Sequence, residues 1–120
     1  MPAKDTSCPR LAILIVAAQP LVAQDIALTI VDEMPDAQVI IAESIDAGMQ
    51  AIAPFAAIAI AMVELEEAAF SDTALMPALT DKGARICLIG ARSGQRWPTL
   101  PTPFSTDDLL SVLKTLAPPP

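Results

Sequence analysis

Hydrophobic and polar positions along the chain follow two alternating patterns. Short apolar runs rich in Ile, Leu, Val and Ala, too short for typical helices, indicate buried strands. Between them, apolar residues recur at spacings of three and four, which is the period of an amphipathic helix. The runs that predict strands are "LAILIV" (11–16), "QVIIA" (38–42), "AIAIAMV" (57–63), "ARICLIG" (84–90) and the short "PTLP" (98–101).

The first predicted helix lies between two prolines. Pro20 suits a first helical turn because its missing N–H needs no partner there, and Pro35 ends the helix. Polar residues occupy one side, and the other side predicts a buried face. That face consists of Ala23, Ile26, Ala27, Ile30, Val31 and Met34.

Three further helices follow. Ser44 can cap the second, and the third is predicted at about 71–79, weakened by Pro77. The last helix opens with the capping pattern Ser105-x-x-Asp108. The residues expected to face inward are Ile45, Met49 and Ile52 in the second helix, and Leu109, Val112, Leu113 and Leu116 in the last.

The order of these elements predicts an α/β protein. Strands that alternate with helices favour a flavodoxin-like, doubly wound, five-stranded parallel sheet in the order 2-1-3-4-5, with helices on both faces. We expect one domain over residues 10–117, with tails at 1–9 and 118–120. Ligand sites in such folds lie at the carboxyl ends of the strands, which here are Ala17-Ala18, Met62 and Gly90.

Composition narrows the possible functions. Hydrophobic residues make up 53% of the chain and the net charge is −7, so the chain should fold and should not bind nucleic acid. There is no histidine, which removes the commonest general base and metal ligand. Cys8 and Cys87 predict two reduced thiols in a cytoplasmic protein. Gln50 and Pro54 interrupt the longest uncharged stretch, so we expect no membrane span.

Four segments carry a resemblance to a known family. They are "ILIVAAQPLVAQDI" (13–26), "AIAIAMVELEE" (57–67), "GARICLIGAR" (83–92) and "PTLPTPFSTDDLLSVL" (98–113). In this order and spacing, the chain resembles the receiver domain of bacterial two-component response regulators over residues 10–116. "TPF" stands where the family has Lys-Pro-Phe.

The resemblance also implies where the family's phosphorylation site would fall. Its two acidic residues correspond to Ala17 and Ala18, its phosphate-accepting aspartate to Met62, its Ser or Thr to Gly90 (or Ile89), and its lysine to Thr102. Alanine offers no oxygen to Mg²⁺, and a thioether cannot form an acyl phosphate. A threonine supplies no ammonium charge for phosphoryl transfer. We therefore expect no phosphorylation, no metal, no cofactor and no enzymatic activity.

One carboxylate near this predicted site has two interpretations. Glu64 follows Met62 by two residues, with Glu66 and Glu67 close behind. It could form a surrogate metal or phosphoryl site, or it could lie in a solvated loop after the strand. Of the two, we favour the solvated loop.

The segment between the fourth and fifth strands is shorter than in the family. Receivers typically place a full helix there, whereas "ARSGQRW" (91–97) is typical of a loop. The family's fourth helix, which lies between the fourth and fifth strands, should therefore be shortened or absent in this chain. Uncovered apolar surface ordinarily finds a partner. Trp97 is either a lid on the sheet or an interface anchor, with Arg92 and Arg96 as its polar rim. The predicted interface also includes Thr99, Leu109 and Leu113.

Two functions remain from different classes. The first is a phosphorylation-independent receiver-like module in two-component-type signal transduction, which contacts a protein partner and forms a homodimer. The second is a small-ligand-binding flavodoxin-like domain, in which the small residues Ala17, Ala18 and Gly90 leave an apolar pocket. The chain lacks a glycine-rich phosphate loop, so nucleotides and flavins are poor candidates for that ligand.

Overall fold

A computed structural model describes residues 11–90, 96–102 and 104–116 of the protein. The strands are β1 (Ala12–Val16), β2 (Gln38–Ala42), β3 (Ile60–Val63), β4 (Arg85–Ile89) and β5 (Thr99–Leu100). The helices are α1 (Pro20–Glu33), α2 (Ile45–Ile52), α3 (Glu67–Ser71), α4 (Leu75–Asp81) and α5 (Thr106–Leu116).

The sheet has five parallel strands in the order β2-β1-β3-β4-β5, so the predicted fold class is confirmed. In the register, Ile15 on β1 lies opposite Ile41 on β2 and Met62 on β3. Met62 in turn lies opposite Cys87 on β4. Residues in register share a face of the sheet, so these four side chains belong to the same layer.

Helices cover both faces of the sheet and create two apolar layers. The layer under α1 and α5 contains Ile13, Ile15, Met62, Cys87 and Ile89, and the layer under α2, α3 and α4 contains Leu14, Val16, Val63, Phe70 and Leu88. Within the described residues no polar or charged residue is buried. The strands are therefore apolar on both faces, as expected for a parallel sheet between helices.

Helix α1 begins at Pro20 and ends before Pro35, as predicted, but Val31 does not belong to its buried face. Ala23, Ile26 and Ile30 are buried, whereas half of the Val31 side chain is exposed. Successive helical residues are separated by about 100° around the axis, so with Ile30 aimed at the sheet Val31 points away from it.

The start of α5 confirms the predicted capping pattern. The hydroxyl of Ser105 accepts a hydrogen bond from the Asp108 N–H at 3.0 Å, and the Asp108 carboxylate accepts one from the Ser105 N–H at 3.0 Å. Ser44 likewise caps α2 by accepting a hydrogen bond from the Ala47 N–H. Both caps provide partners for N–H groups that a helix start leaves unpaired.

The single third helix predicted at 71–79 is wrong, because the chain forms α3 and α4 instead. Thr73 lies between them, and its hydroxyl accepts a hydrogen bond from the Met76 N–H at 3.4 Å, near the start of α4. Pro77 falls in the first turn of α4, where a missing N–H interrupts no helical hydrogen bond. The proline is therefore compatible with this helix.

Some predicted features fall on segments that are not described. Residues 1–10, 91–95 and 117–120 lie outside the described residues, and with them both predicted tails and Arg92. Between β4 and β5 the structure describes 96–98, which are not helical. None of the helices in the described part of the chain is both long enough and apolar enough to cross a bilayer.

Candidate functional site

The carboxyl end of β1 and the end of β3 are joined by backbone and side-chain hydrogen bonds. Ala17 is buried and Ala18 is exposed. The Ala18 N–H donates a hydrogen bond to the Glu64 carboxylate at 3.1 Å, and the Glu64 N–H donates one to the Val16 carbonyl at 2.8 Å. The half-buried Glu64 therefore folds back over the edge of the crevice and binds a backbone N–H of the β1–α1 loop.

Met62 lies beneath this edge and has no exposed surface. Its neighbours in the sheet register are Ile15 and Cys87, and the apolar layer around it includes Ala17 and Ile89. Burial raises the pKa of the Cys87 thiol from its ordinary value of 9.0 to about 12. The position that the resemblance assigns to a phosphate-accepting aspartate is thus filled by hydrocarbon and sulfur, with a neutral thiol beside it.

Gly90 and Thr102 form the part of the crevice above β4 and β5. The Gly90 N–H donates a hydrogen bond to the Leu100 carbonyl at 2.7 Å, and Gly90 has a φ of +75°, which favours glycine. A Cβ on Gly90 would lie 3.4 Å from the Thr102 hydroxyl oxygen. The structure therefore brings together Gly90 and Thr102, as it does Ala18 and Glu64.

Trp97 packs on the other face of the sheet. Its ring meets Phe70 of α3 edge-to-face, with 5.0 Å between ring centroids, and contacts the apolar layer under α2, α3 and α4. The Arg96 guanidinium lies 4.8 Å from the centre of the Trp97 ring, and the Arg96 N–H donates a hydrogen bond to the Glu67 carboxylate at 3.0 Å. Trp97 thus covers the sheet, while part of its ring stays accessible.

The predicted interface needs a correction. Leu109 and Leu113 are buried in the layer between α5 and the sheet, so they are core residues and not surface anchors. The apolar stripe of α5 packs against the sheet through these residues and Leu116. Thr99 is half-buried and Arg96 is exposed, so these two can still contribute to a surface around Trp97.

The described residues offer little to a metal ion. Among them, no three His, Cys, Asp or Glu side chains lie close enough together to form a metal site. Mg²⁺ usually takes one or two carboxylates together with substrate phosphates or water. Glu64 is the carboxylate that lies against the β1–α1 loop, and it already accepts a backbone hydrogen bond from the Ala18 N–H.

Two clefts open at the carboxyl edge of the sheet. The larger, of about 430 Å³, lies between the start of α1 and the segment after β5, and is lined by Gln19, Val22, Asp25, Thr102 and Phe104. The smaller, of about 130 Å³, separates α1 from the edge strand β2 and is lined by Ala17, Pro20, Ala23, Gln24, Ile41 and Glu43. Both are open to solvent, and the smaller has room for little more than one side chain.

Sequence reasoning missed one surface feature. Leu21 and Leu28 are the most exposed large apolar residues among those described, and both lie on the outer side of α1. The signal was present, because these leucines interrupt the polar side of a helix whose opposite side already supplied enough apolar residues for the core.

Comparison with known proteins identifies the fold. No protein-family model and no curated protein sequence matches the chain. Among solved structures, a response regulator receiver domain protein from Bacillus halodurans aligns with a TM-score of 0.71 and 15% identity, covering 92% of this chain and 100% of that one. The chemotaxis response regulator CheY4 of Vibrio cholerae aligns with a TM-score of 0.67 and 14% identity, covering 90% and 99%.

A third similar structure comes from a different process. The pilus assembly protein CpaE from Caulobacter crescentus aligns with a TM-score of 0.64 and 19% identity, covering 89% of this chain and 99% of the CpaE chain. The chain therefore has the fold of response regulator receiver domains, and the resemblance drawn from its motifs is confirmed at the level of the fold. At these identities the comparison establishes architecture and not activity.

Proposed function

We propose that this chain is a phosphorylation-independent receiver-like module that acts in two-component-type signal transduction through protein–protein contact. The observation that carries the proposal is the burial of Met62, whose side chain has no exposed surface. In the family that the chain resembles, this position holds the aspartate that accepts the phosphoryl group. A buried thioether cannot attack phosphorus or form an acyl phosphate.

The neighbouring positions support the same proposal. Ala17 and Ala18 offer no oxygen atoms from their side chains, and the hydroxyl of Thr102 carries no positive charge. Glu64 is the nearest candidate for a surrogate nucleophile or metal ligand. Its carboxylate is held by the Ala18 N–H, so we interpret it as a structural tie between β1 and β3.

Without a phosphoryl group the module needs another input. In ordinary receivers a charge change shifts a two-state surface, whereas here binding or self-association must select the state. We propose that the exposed part of Trp97, together with Arg92, Arg96 and Thr99, contacts a protein partner or a second copy of the chain. We also propose that the module is cytoplasmic, binds no nucleic acid or membrane, and catalyses no reaction.

Labelling with acetyl phosphate tests the central claim. The chain is incubated with ³²P-labelled acetyl phosphate and Mg²⁺, beside a receiver domain that has an intact aspartate. We expect stable label on the control receiver and none on this chain. Any stable label on this chain would overturn the proposal. Label that is lost in the Glu64→Gln variant would identify Glu64 as a surrogate acceptor, and label that survives in that variant would mean that another residue accepts the phosphoryl group.

Self-association is measured separately by size-exclusion chromatography with light scattering. If the surface around Trp97 joins two copies, the chain elutes as a dimer and Trp97→Ala shifts it toward monomer. A monomer at all concentrations discards the homodimer and leaves a different protein as the partner.

A second candidate function is supported by the 430 Å³ cleft beside Thr102. Its lining combines an aromatic ring (Phe104), a carboxylate (Asp25) and polar groups (Gln19 and Thr102), a mixture typical of small-molecule sites. A thermal-shift screen against a metabolite panel tests this function. A ligand whose stabilising effect disappears in Asp25→Ala would favour it over a module that acts only by protein contact.

A further inference from the structure

The large apolar side chains that stand exposed in the described chain lie on two neighbouring elements, helix α1 and the edge strand β2. They are Leu21, Leu28 and Val31 on α1 and Ile41 on β2, with exposed fractions of 76%, 69%, 50% and 48%. Ile41 of the edge strand β2 points to the face of the sheet that α1 covers, because it lies in register with Ile15, which belongs to the layer under α1. Apolar residues gathered in this way mark a contact surface.

The spacing of these residues fits a helical partner. Leu28 follows Leu21 by seven positions and Val31 follows Leu28 by three, which is the spacing of the apolar seam in a coiled coil. Their seam is separate from the buried side of α1, which faces the sheet through Ala23, Ile26 and Ile30. The 130 Å³ cleft between α1 and Ile41 reaches this seam at Gln24, which lies between Leu21 and Leu28, and it can receive one apolar side chain.

The charges around the seam have one sign. Asp25 and Asp32 are exposed on α1, and Glu43 lines the cleft on the side of β2. The basic residues in the described parts of the chain are Lys82, Arg85, Arg96 and Lys114, and none belongs to α1 or β2. Lys114 shares a cleft with Glu33 at the far end of α1, so it does not offset the carboxylates near Leu21.

We propose that the surface formed by Leu21, Leu28, Val31 and Ile41, here called the α1–β2 surface, binds an amphipathic helix of a partner protein that has basic residues beside its apolar stripe. The apolar stripe packs along α1, one side chain enters the cleft, and Lys or Arg residues meet Asp25, Asp32 and Glu43. A second copy of this surface would bring carboxylates against carboxylates. An anionic bilayer would be repelled for the same reason.

This inference rests on the proposed role of the chain in protein–protein contact, and it assigns a surface that is separate from Trp97. Leu28 and Asp32, which the test varies, line neither of the two clefts at the carboxyl edge of the sheet. Acetyl phosphate labelling and binding at the α1–β2 surface can therefore fail independently, and each result is interpretable without the other.

The test uses two designed peptides of about three heptads, identical in their Leu seam and different in their flanks. One carries Lys at the flanking positions and the other carries Glu. Binding to the ¹⁵N-labelled 120-residue chain is followed by NMR. We expect the Lys peptide to bind at least tenfold more tightly than the Glu peptide, with shift changes concentrated on α1 and β2.

Matched variants separate the seam from general attraction to an acidic protein. Leu28→Ser should weaken binding of the Lys peptide at least tenfold, because it removes the centre of the seam. Asp32→Asn should weaken binding severalfold. Asp107→Asn, which makes the same change at an exposed position on α5, should leave binding unchanged. Circular dichroism checks that each variant keeps its fold.

Four results would overturn the proposal. Equal affinity for both peptides would show that the carboxylates do not select the partner. Shift changes away from α1 and β2 would show that the peptide binds a different surface. A dimer that Leu28→Ser dissociates would assign the surface to a second copy of the chain. Binding to phosphatidylglycerol vesicles that is lost in Leu28→Ser would assign it to a membrane.

Discussion

The Ala18 backbone N–H and the Glu64 carboxylate form a 3.1 Å hydrogen bond across the carboxyl edge of the sheet. A second hydrogen bond runs from the Glu64 N–H to the Val16 carbonyl, so two hydrogen bonds connect the end of β3 to the end of β1. In the receivers that the chain resembles, acidic side chains at this edge hold a cation. Here the Glu64 carboxylate accepts a hydrogen bond from a backbone N–H, so it makes a structural contact.

Removing the Glu64 carboxylate should loosen this edge without unfolding the protein. We expect Glu64→Ala to lower the free energy of unfolding by about 1 kcal/mol, the usual contribution of one accessible hydrogen bond. Glu64→Gln keeps an oxygen acceptor and should lose less than half of that. Urea unfolding followed by circular dichroism measures both variants, and the Ala18 amide should exchange faster in Glu64→Ala. Equal stability and equal exchange in all three proteins would contradict the contact.

Introducing an aspartate at position 62 should destabilise the fold. Met62→Asp places a carboxylate in a layer of Ile15, Cys87 and Ile89 with no polar partner, and we expect a loss of about 3 kcal/mol or more. Ala18→Asp makes a similar chemical change at an exposed position and should cost under about 1 kcal/mol. Thermal unfolding compares the two variants, and a Met62→Asp variant as stable as Ala18→Asp would contradict the filled crevice.

The sequence predicted the layers of this fold better than the details of its surface. The strand "QVIIA" (38–42) is a continuous apolar run after Gln38, so the bounds of β2 were predicted correctly, although β2 is an edge strand in which only Ala42 is buried. The capping pattern at Ser105 is local chemistry and was also predictable. The exposure of Val31 depends on how α1 is rotated against the sheet, so it could not be placed from the apolar period alone.

The contents of the crevice were only partly predictable for a related reason. Residue types showed that oxygen ligands are missing at Ala17 and Met62, because this needs only the alignment of strands with a known pattern. The hydrogen bond that orients Glu64 depends on the path of the chain after β3, which no spacing encodes. The burial of Leu109 and Leu113 depends similarly on the packing of α5 against the sheet.

Trp97 should contribute to stability through its contact with Phe70. Trp97→Ala removes the edge-to-face pair and uncovers part of the sheet, and we expect a loss of about 2 kcal/mol for this half-buried ring. Trp97→Phe retains an aromatic edge and should recover at least half of that loss. Circular dichroism during urea unfolding measures both. A Trp97→Ala variant as stable as wild type would mean that the ring serves an interface alone.

Two glycines with positive φ allow the contact between Gly90 and Thr102 to be measured. Gly90 and Gly83 have φ values of +75° and +80°, so an added Cβ should cost about 1 kcal/mol at either position through the backbone. The Cβ at Gly83 meets nothing within 4 Å, whereas the Cβ at Gly90 lies 3.4 Å from the Thr102 hydroxyl oxygen. We therefore expect Gly90→Ala to be at least as destabilising as Gly83→Ala in parallel thermal unfolding. A neutral Gly90→Ala alongside a destabilising Gly83→Ala would contradict the positive φ at Gly90.

The buried thiol of Cys87 should make stability fall at alkaline pH. Burial raises its pKa in the folded state to about 12 from an ordinary value of 9.0, so between these values the folded protein keeps a proton that the unfolded chain releases. The contribution is complete below pH 9.0 and declines as the pH rises toward 12. The measured quantity is the difference in unfolding free energy between wild type and Cys87→Ala. That difference should shrink with rising pH, since the variant has no thiol to ionise at this position. A difference that stays constant across the range would show that the Cys87 pKa is the same in the folded and unfolded chains.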